Sequence, residues 1–191
     1  FSNNYILSVL DEISKFLNKR KVVQHPFVIN INSTVMPGSI KKEFIPFLER
    51  KGFRHNHDFT FIYNPYFVAL GDVISGLENP DLILIGCENH YSKNLIKKIY
   101  NIIYTEEKYV FLNFYEAELT KLLVNSYLTL KISFSNMVKD LNISNLNIDI
   151  SKILNAVGSD SRIGKKFLRP GGPFSGPCLP RDTIALNRYS K

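Results

Sequence analysis

Between Asp160 and Leu186 the chain reads DSRIGKKFLRPGGPFSGPCLPRDTIAL, a glycine- and proline-rich stretch that runs into a cysteine and then into an apolar periodic segment. That order predicts a helix opening just after Cys178. A thiol there meets the positive end of the helix dipole, which favours the thiolate, and this is how a sulfur nucleophile is prepared. The competing reading of an isolated cysteine is a small buried residue in an irregular loop. A second pair carries related chemistry: Lys121 and Asn125 stand four residues apart in EAELTKLLVNSYLTLKISFSNM. On a helix they share one face, where an ammonium and an amide can stabilise an oxyanion jointly. Alone, they are equally a solvated lysine with an ordinary polar neighbour.

Together, Arg162-Ile163-Gly164, the proline-glycine loop, the run GPCLPRD and the apolar helix after it resemble the active-site segment of the UDP-glucose and GDP-mannose dehydrogenase family. Arg162 stands sixteen residues before Cys178, which is the family's interval between an arginine and its catalytic cysteine. The segment from Glu116 to Met137 is similar to the family's long central helix, and NSTVMPGS to its serine-threonine strand end. FIYNPYFVALGDVISGLENPDLILIG follows the family's order of strand, asparagine-proline, glycine, proline-aspartate and apolar strand.

The resemblance implies NAD-dependent oxidation of a UDP- or GDP-sugar C6 alcohol to the uronate through a thioester on Cys178. It assigns Asp182 as the polar partner of Cys178 in water activation, and Lys121 and Asn125 as oxyanion stabilisers. Thr34 falls near both cofactor and substrate. Arg162, Phe167 and Gly176 become substrate contacts, Arg162 reaching across a dimer, while Ser33, Thr34 and Arg181 become contacts to NAD. Residues 1–113 are then the later half of the NAD-binding domain, and residues 114–191 most of the central helical, dimerising domain.

Some positions depart from that pattern. The family carries two glutamates after its asparagine-proline, where this chain has Tyr66 and Leu70. Leucine has no proton-accepting group and tyrosine is a poor base near neutral pH, so hydrolysis of a thioester should be slow, or the chain should belong to a degenerate relative kept for dimerisation or binding. Pro173 and Ser175 replace loop glycines and restrict a backbone that must lie close to the sugar. No G-x-G-x-x-G fingerprint occurs in this chain, and the nucleotide-binding third domain that the resemblance implies after the central helices is expected to lie outside it. The chain, which begins at Phe1 rather than methionine, is expected to be part of a longer protein and to hold neither site in full.

The elements that must position these residues follow from periodicity. Ile6, Leu7, Leu10, Ile13 and Leu17 predict a first helix ending near Lys19-Arg20-Lys21, and PFVININST a strand. After Pro37-Gly38 a second helix carries Phe44, Phe47 and Leu48. FTFIYNP, LILIG and YVFLN read as strands, with a short helix from Phe67 to Ser75 and another from Ser92 to Thr105. Strands alternating with helices predict parallel βαβ units, hence a partial Rossmann-like sheet followed by an all-α region. From Tyr115 to Leu141 there is no proline or glycine, and Leu119, Leu122, Leu123, Tyr127, Leu130, Phe134, Met137, Val138 and Leu141 keep helical spacing. Leu128 and Ile132 lie off that stripe, so the helix needs cover on a second face, and a homodimer through residues 115–141 is expected. SKILNAVG is a further short helix, and TIALNRY resumes helix near Asp182.

The 191 residues are 45% hydrophobic, enough for a real core, and their net charge of +7 comes from 24 Lys and Arg scattered among 17 Asp and Glu. Scattered charge argues against nucleic acid as a partner and suits an anionic small ligand. Cys87 and Cys178 form no disulfide framework, so a reducing cytoplasm is expected; no apolar run is long enough for a membrane span. His55, His57 and Asp58 sit in a polar turn without further ligands nearby, and a metal is not expected there; His25 and His90 are isolated.

Overall fold

The computed structural model describes residues 2–20, 24–69, 71–105, 108–141 and 148–189. Leu70, one of the departures noted above, lies outside them. The chain forms two compact units, residues 1–121 and 122–191.

In the first unit the order is α1 (Asn4–Lys19), β1 (Phe27–Ile31), a π-helical turn (Ile40–Phe44) running into α2 (Ile45–Glu49), β2 (Phe59–Tyr63), α3 (Val73–Glu78), β3 (Ile83–Gly86), α4 (His90–Tyr100) and β4 (Tyr109–Leu112). The strands lie in sequence order, with β1 parallel to β2 and β3 parallel to β4. Between β2 and β3 the expectation of a parallel unit fails: they meet antiparallel, through Tyr63 and Gly86. A parallel return requires a helix that crosses and covers the sheet. The intervening α3 starts six residues later than Phe67 and buries none of its side chains, so it covers nothing.

Strand alternation sends side chains to the two faces of this sheet. Ile29, Ile31, Phe59, Phe61, Tyr63 and Leu84 pack with Leu10 and Leu17 of α1, Ile45 and Leu48 of α2, and Phe114 and Ala117. Ile62, Ile83 and Ile85 pack with Ile96 of α4 on the other. Both faces are closed by the unit's own helices.

A 26-residue helix, α5 (Phe114–Lys139), begins in the first unit and continues in the second. It starts with a reciprocal cap: Asn113 Oδ1 accepts from the Glu116 N–H, and Glu116 Oε2 accepts from the Asn113 N–H, both at 3.0 Å. Its origin seats against the end of β3, because a Cβ on Gly86 would stand 2.9 Å from Ala117 Cβ and 3.1 Å from Tyr63 Cβ. The second unit adds α6 (Ile150–Gly158), capped by Asp149, and α7 (Leu179–Tyr189). No helix among the described residues is long and apolar enough to cross a membrane.

Candidate active site

Along α5 the covered positions are not the apolar ones. Phe114, Ala117 and Leu122 are buried, but so are Glu118, Lys121, Asn125, Thr129 and Ser135, whereas Leu123, Tyr127, Leu130, Phe134 and Met137 are exposed. Burying polar groups costs free energy unless each finds a partner, so their partners define what the helix holds in place.

In the first unit the loop after β1 carries Ser33, which is exposed, and Thr34, which is half-buried. Ligands of open α/β sheets bind at the carboxyl ends of strands, where this loop begins. Val35 sinks into the core, and Pro37-Gly38 then turns into the π-helical turn, Gly38 taking φ +95°. Glu118 accepts from the backbone N–H groups of Gly38 and Ile40, the latter at 3.0 Å. Burial pushes its carboxyl up to about 7, against the opposing effect of those two N–H donors. One turn further on, Lys121 Nζ donates to the Tyr66 carbonyl at 2.7 Å and stands 4.3 Å from the centre of the Phe67 ring. Only 8% of Lys121 is exposed, so it is not the solvated lysine of the simpler reading. Tyr66 is 48% exposed, and what Lys121 takes from this residue is its carbonyl. Asn64 ties the strand ends together: its amide N–H donates to Leu84 O at 2.8 Å, and its Oδ1 accepts from the Tyr100 hydroxyl.

In the second unit Cys178 is exposed and caps α7, its carbonyl accepting the Asp182 N–H at 2.9 Å. It is therefore not the buried loop cysteine of the alternative reading. Asp182, one turn into α7, is fully buried; its Oδ2 accepts from the Asn125 amide at 2.6 Å and its Oδ1 from Arg181 Nε at 2.9 Å. With a donor on each oxygen, the carboxylate is arranged to orient Asn125. Cys87 differs: it is half-buried at the end of β3, and burial pushes its thiol up.

The remaining expected contacts lie in the loop between α6 and α7. Arg162 is exposed and pairs with Asp160 two residues earlier, Nη2 to Oδ2 at 2.6 Å, and Asp160 is held below the usual carboxylate range by that guanidinium. Phe167 and Gly176 both take left-handed backbone conformations, φ +66° and +83°, which glycine adopts freely and phenylalanine at a cost. Two residues of α5 that the sequence did not single out hold this loop. Lys131 Nζ donates to the carbonyls of Ile163 and Gly164, and Asn136 both accepts from the Gly171 N–H and donates to the Gly172 carbonyl. Glu118 was missed as well, although its place three residues before Lys121 on one helix face was a usable signal. Around the HNHD stretch, Asp58 accepts from Arg54 and pairs with His57, and the Arg54 guanidinium holds it well below the usual carboxylate range.

Residues 2–104 match the UDP-glucose/GDP-mannose dehydrogenase family, NAD binding domain, and residues 115–191 match the central domain of the same family. The chain belongs to the UDP-glucose/GDP-mannose dehydrogenase family. Among curated relatives it is 36% identical over 184 residues to the UDP-glucose 6-dehydrogenase of Rickettsia prowazekii, covering 96% of this chain and 40% of that protein. A UDP-glucose dehydrogenase from the archaeon Pyrobaculum islandicum superposes with a TM-score of 0.83 at 26% identity, over 98% of this chain and 42% of that one. The UDP-D-ManNAc dehydrogenase of Pyrococcus horikoshii, at 22% identity and a TM-score of 0.80 over all of this chain and 43% of that one, shares the fold. The chain thus spans about 40% of the length of these UDP-glucose dehydrogenases.

The cofactor of this family's first domain is NAD. The residues present fit part of such a site. The hydroxyls of Ser33 and Thr34 lie on the loop leaving the carboxyl end of β1, while the glycine-rich turn that would take the pyrophosphate is not in this chain.

Proposed function

We propose that the protein containing this chain is an NAD-dependent nucleotide-sugar 6-dehydrogenase that oxidises a UDP- or GDP-sugar C6 alcohol to the uronate through a thioester on Cys178. Residues 1–113 are the later half of its NAD-binding domain and residues 114–191 most of its central domain. The observation that carries this reading is the placement of Cys178: an exposed thiol at the opening of α7, one turn before a buried Asp182 that holds the Asn125 amide. Cys87, half-buried, has no such surroundings.

Two NAD molecules, bound in succession, would each accept one of the two hydrides that leave C6. Ser33, Thr34 and Arg181 contact the cofactor, and Thr34 also meets the sugar. Arg162, Phe167 and Gly176 bind the nucleotide-sugar, Arg162 from the other subunit of a homodimer. Once C6 is an aldehyde, the Cys178 thiolate adds to its carbon and the carbonyl oxygen gains the negative charge. Asn125 and Lys121 donate to that oxygen, the first oriented by Asp182 and the second by the Tyr66 carbonyl. Loss of the second hydride leaves a thioester. Water then adds to the acyl carbon, the C–S bond breaks, the carboxylate departs and the thiol is regained.

Hydrolysis is the slow step in this reading, because a tyrosine and a leucine stand where the family carries glutamates, and general-base help typically contributes about 10²–10⁴-fold. The full-length protein, mixed with NAD and UDP-glucose, should give a burst of NADH, then slow turnover, with an acyl adduct on Cys178 in intact-protein mass spectrometry. Leu70→Glu should raise the steady rate without enlarging the burst. Turnover with no burst and no adduct would show that another group activates the water efficiently. The half-exposed Tyr66 also favours a second reading, a weakly active or inactive relative retained for dimerisation or binding; it predicts little or no NADH, with neither burst nor adduct.

A further inference from the structure

We infer that Glu118 is a positioning residue, whose buried carboxylate fixes the loop carrying Ser33 and Thr34 against the turn of α5 that carries Lys121. This rests on the dehydrogenase reading above. Glu118 is fully buried, and its two oxygens are divided between two donors of one short segment, Oε2 taking the Gly38 N–H and Oε1 the Ile40 N–H. A carboxylate is the side-chain group that offers two acceptor oxygens with that spread and no donor; an amide of the same shape would point an N–H at another N–H. The same glycine is approached from α5 a second time, since a Cβ on Gly38 would lie 3.0 Å from Tyr115 Cε1.

Val35 and Ile40 on either side of this bend are sunk in the core, and Glu118 holds the bend at Gly38 and Ile40, just after the stretch that carries Ser33 and Thr34. Three residues further along the helix, Lys121 lies on the same face and is held by the Tyr66 carbonyl. A core position filled by leucine would avoid the desolvation of a carboxylate but would leave two buried N–H groups unpaired. Burial pushes the Glu118 carboxyl up to about 7, while the two N–H bonds it accepts favour the charged form. The consequence for the reaction is geometric. The hydroxyls on the cofactor side and the ammonium on the oxyanion side are spaced by one side chain, and a displacement of about 1 Å at such a site costs on the order of 10²-fold in rate.

The test uses the full-length protein with Glu118→Gln, which preserves shape and converts one acceptor into a donor. Amide hydrogen exchange, read without cofactor or substrate, should accelerate ~10-fold or more in peptides spanning residues 33–40, with residues 59–63 unchanged, as expected for local opening. With NAD and UDP-glucose, kcat should fall ~10²-fold while the sugar KM stays within about threefold, because orientation rather than uniform binding is lost. Unchanged exchange at 33–40 overturns the inference, and so does a lower melting temperature with kcat per folded molecule unaltered. If Glu118→Gln does not fold, Glu118→Asp keeps the charge and withdraws it by one methylene; its kcat should be intermediate, and a wild-type kcat overturns the inference. A wild-type protein that forms no NADH removes the dehydrogenase reading and this inference with it, whereas an active wild type with an indifferent variant removes the inference alone.

Discussion

The first unit buries aromatic and aliphatic side chains on both faces of its sheet, from Phe59, Phe61 and Tyr63 to Ile83 and Ile85, and closes them with α1, α2 and α4. The second unit buries Leu122, Leu154, Leu168 and Ala185, and along the same stretch of chain leaves Leu123, Tyr127, Leu130, Phe134, Met137, Ile153, Ile163 and Ile184 exposed. One unit completes its own core; the other spends its covered helix face on polar groups and turns an apolar row outward. Apolar rows of that length suit association surfaces, as the homodimer proposed above would require of α5. Burial around the sheet therefore serves stability, whereas the buried polar face of α5, from Glu118 and Lys121 to Asn125, serves orientation, as do Asp182 and the loop that Lys131 and Asn136 hold.

That contrast can be broken at several points. The largest effect belongs to the covalent step: Cys178→Ala in the full-length protein should lower uronate formation by ~10⁴-fold or more, as removal of a nucleophile does, with the melting temperature nearly unchanged because the thiol is exposed. Thiol labelling near neutral pH should likewise favour Cys178 over the half-buried Cys87; faster labelling of Cys87 would undo the assignment. Next comes the core of the first unit. Phe61→Ala should cost about 3–5 kcal/mol of stability in denaturant titration, whereas Leu130→Ala should cost under about 1 kcal/mol at low protein concentration and shift light scattering toward the monomer. A Leu130→Ala penalty as large as that of Phe61→Ala, with the association state unaltered, would mean that the row is covered within one chain.

The smallest effect is a pH slope. The folded Glu118 carboxyl is raised from 4.5 to about 7, so between those values the folded state binds a proton that the unfolded state has lost. Its contribution to stability is full below about 4.5 and is lost as pH rises through about 7, and Glu118→Gln should flatten that part of the stability profile relative to wild type. An equal slope in the variant would assign the titration elsewhere.

How much of this was legible in the sequence depended on the range of the interaction. Local patterns carried α1, the four strands, α4, α6 and the start of α7 at Cys178, since caps and periodicity are written within a few residues. The antiparallel meeting of β2 and β3 was not legible, because it turns on whether α3 covers the sheet, and Val73, Ile74 and Leu77 are apolar yet exposed. In α5 the spacing of apolar residues identified a helix correctly, while the covered face proved to be the one bearing Glu118, Lys121, Asn125 and Thr129. A period tells which residues lie together, and only the partners tell which side is inward. Lys121 and Asn125 were visible through their spacing and the family's motif; Lys131 and Asn136 were not, because their partners are backbone groups more than thirty residues away.

The π-helical turn at Ile40–Phe44, closed by the Ile45 N–H on the Ile40 carbonyl, has a consequence for length variation in the gene. Such a turn holds one residue more than an α-helix would over the same span. Deleting Lys41 or Lys42 would let the segment relax into regular α-helix, and each residue of an α-helix is worth a rotation of about 100°. With Ile45 and Leu48 locked in the core, the rotation would fall on Gly38 and Ile40 and carry their amides away from Glu118 of α5. A codon lost here would therefore be felt at Ser33 and Thr34, although neither residue would itself be changed.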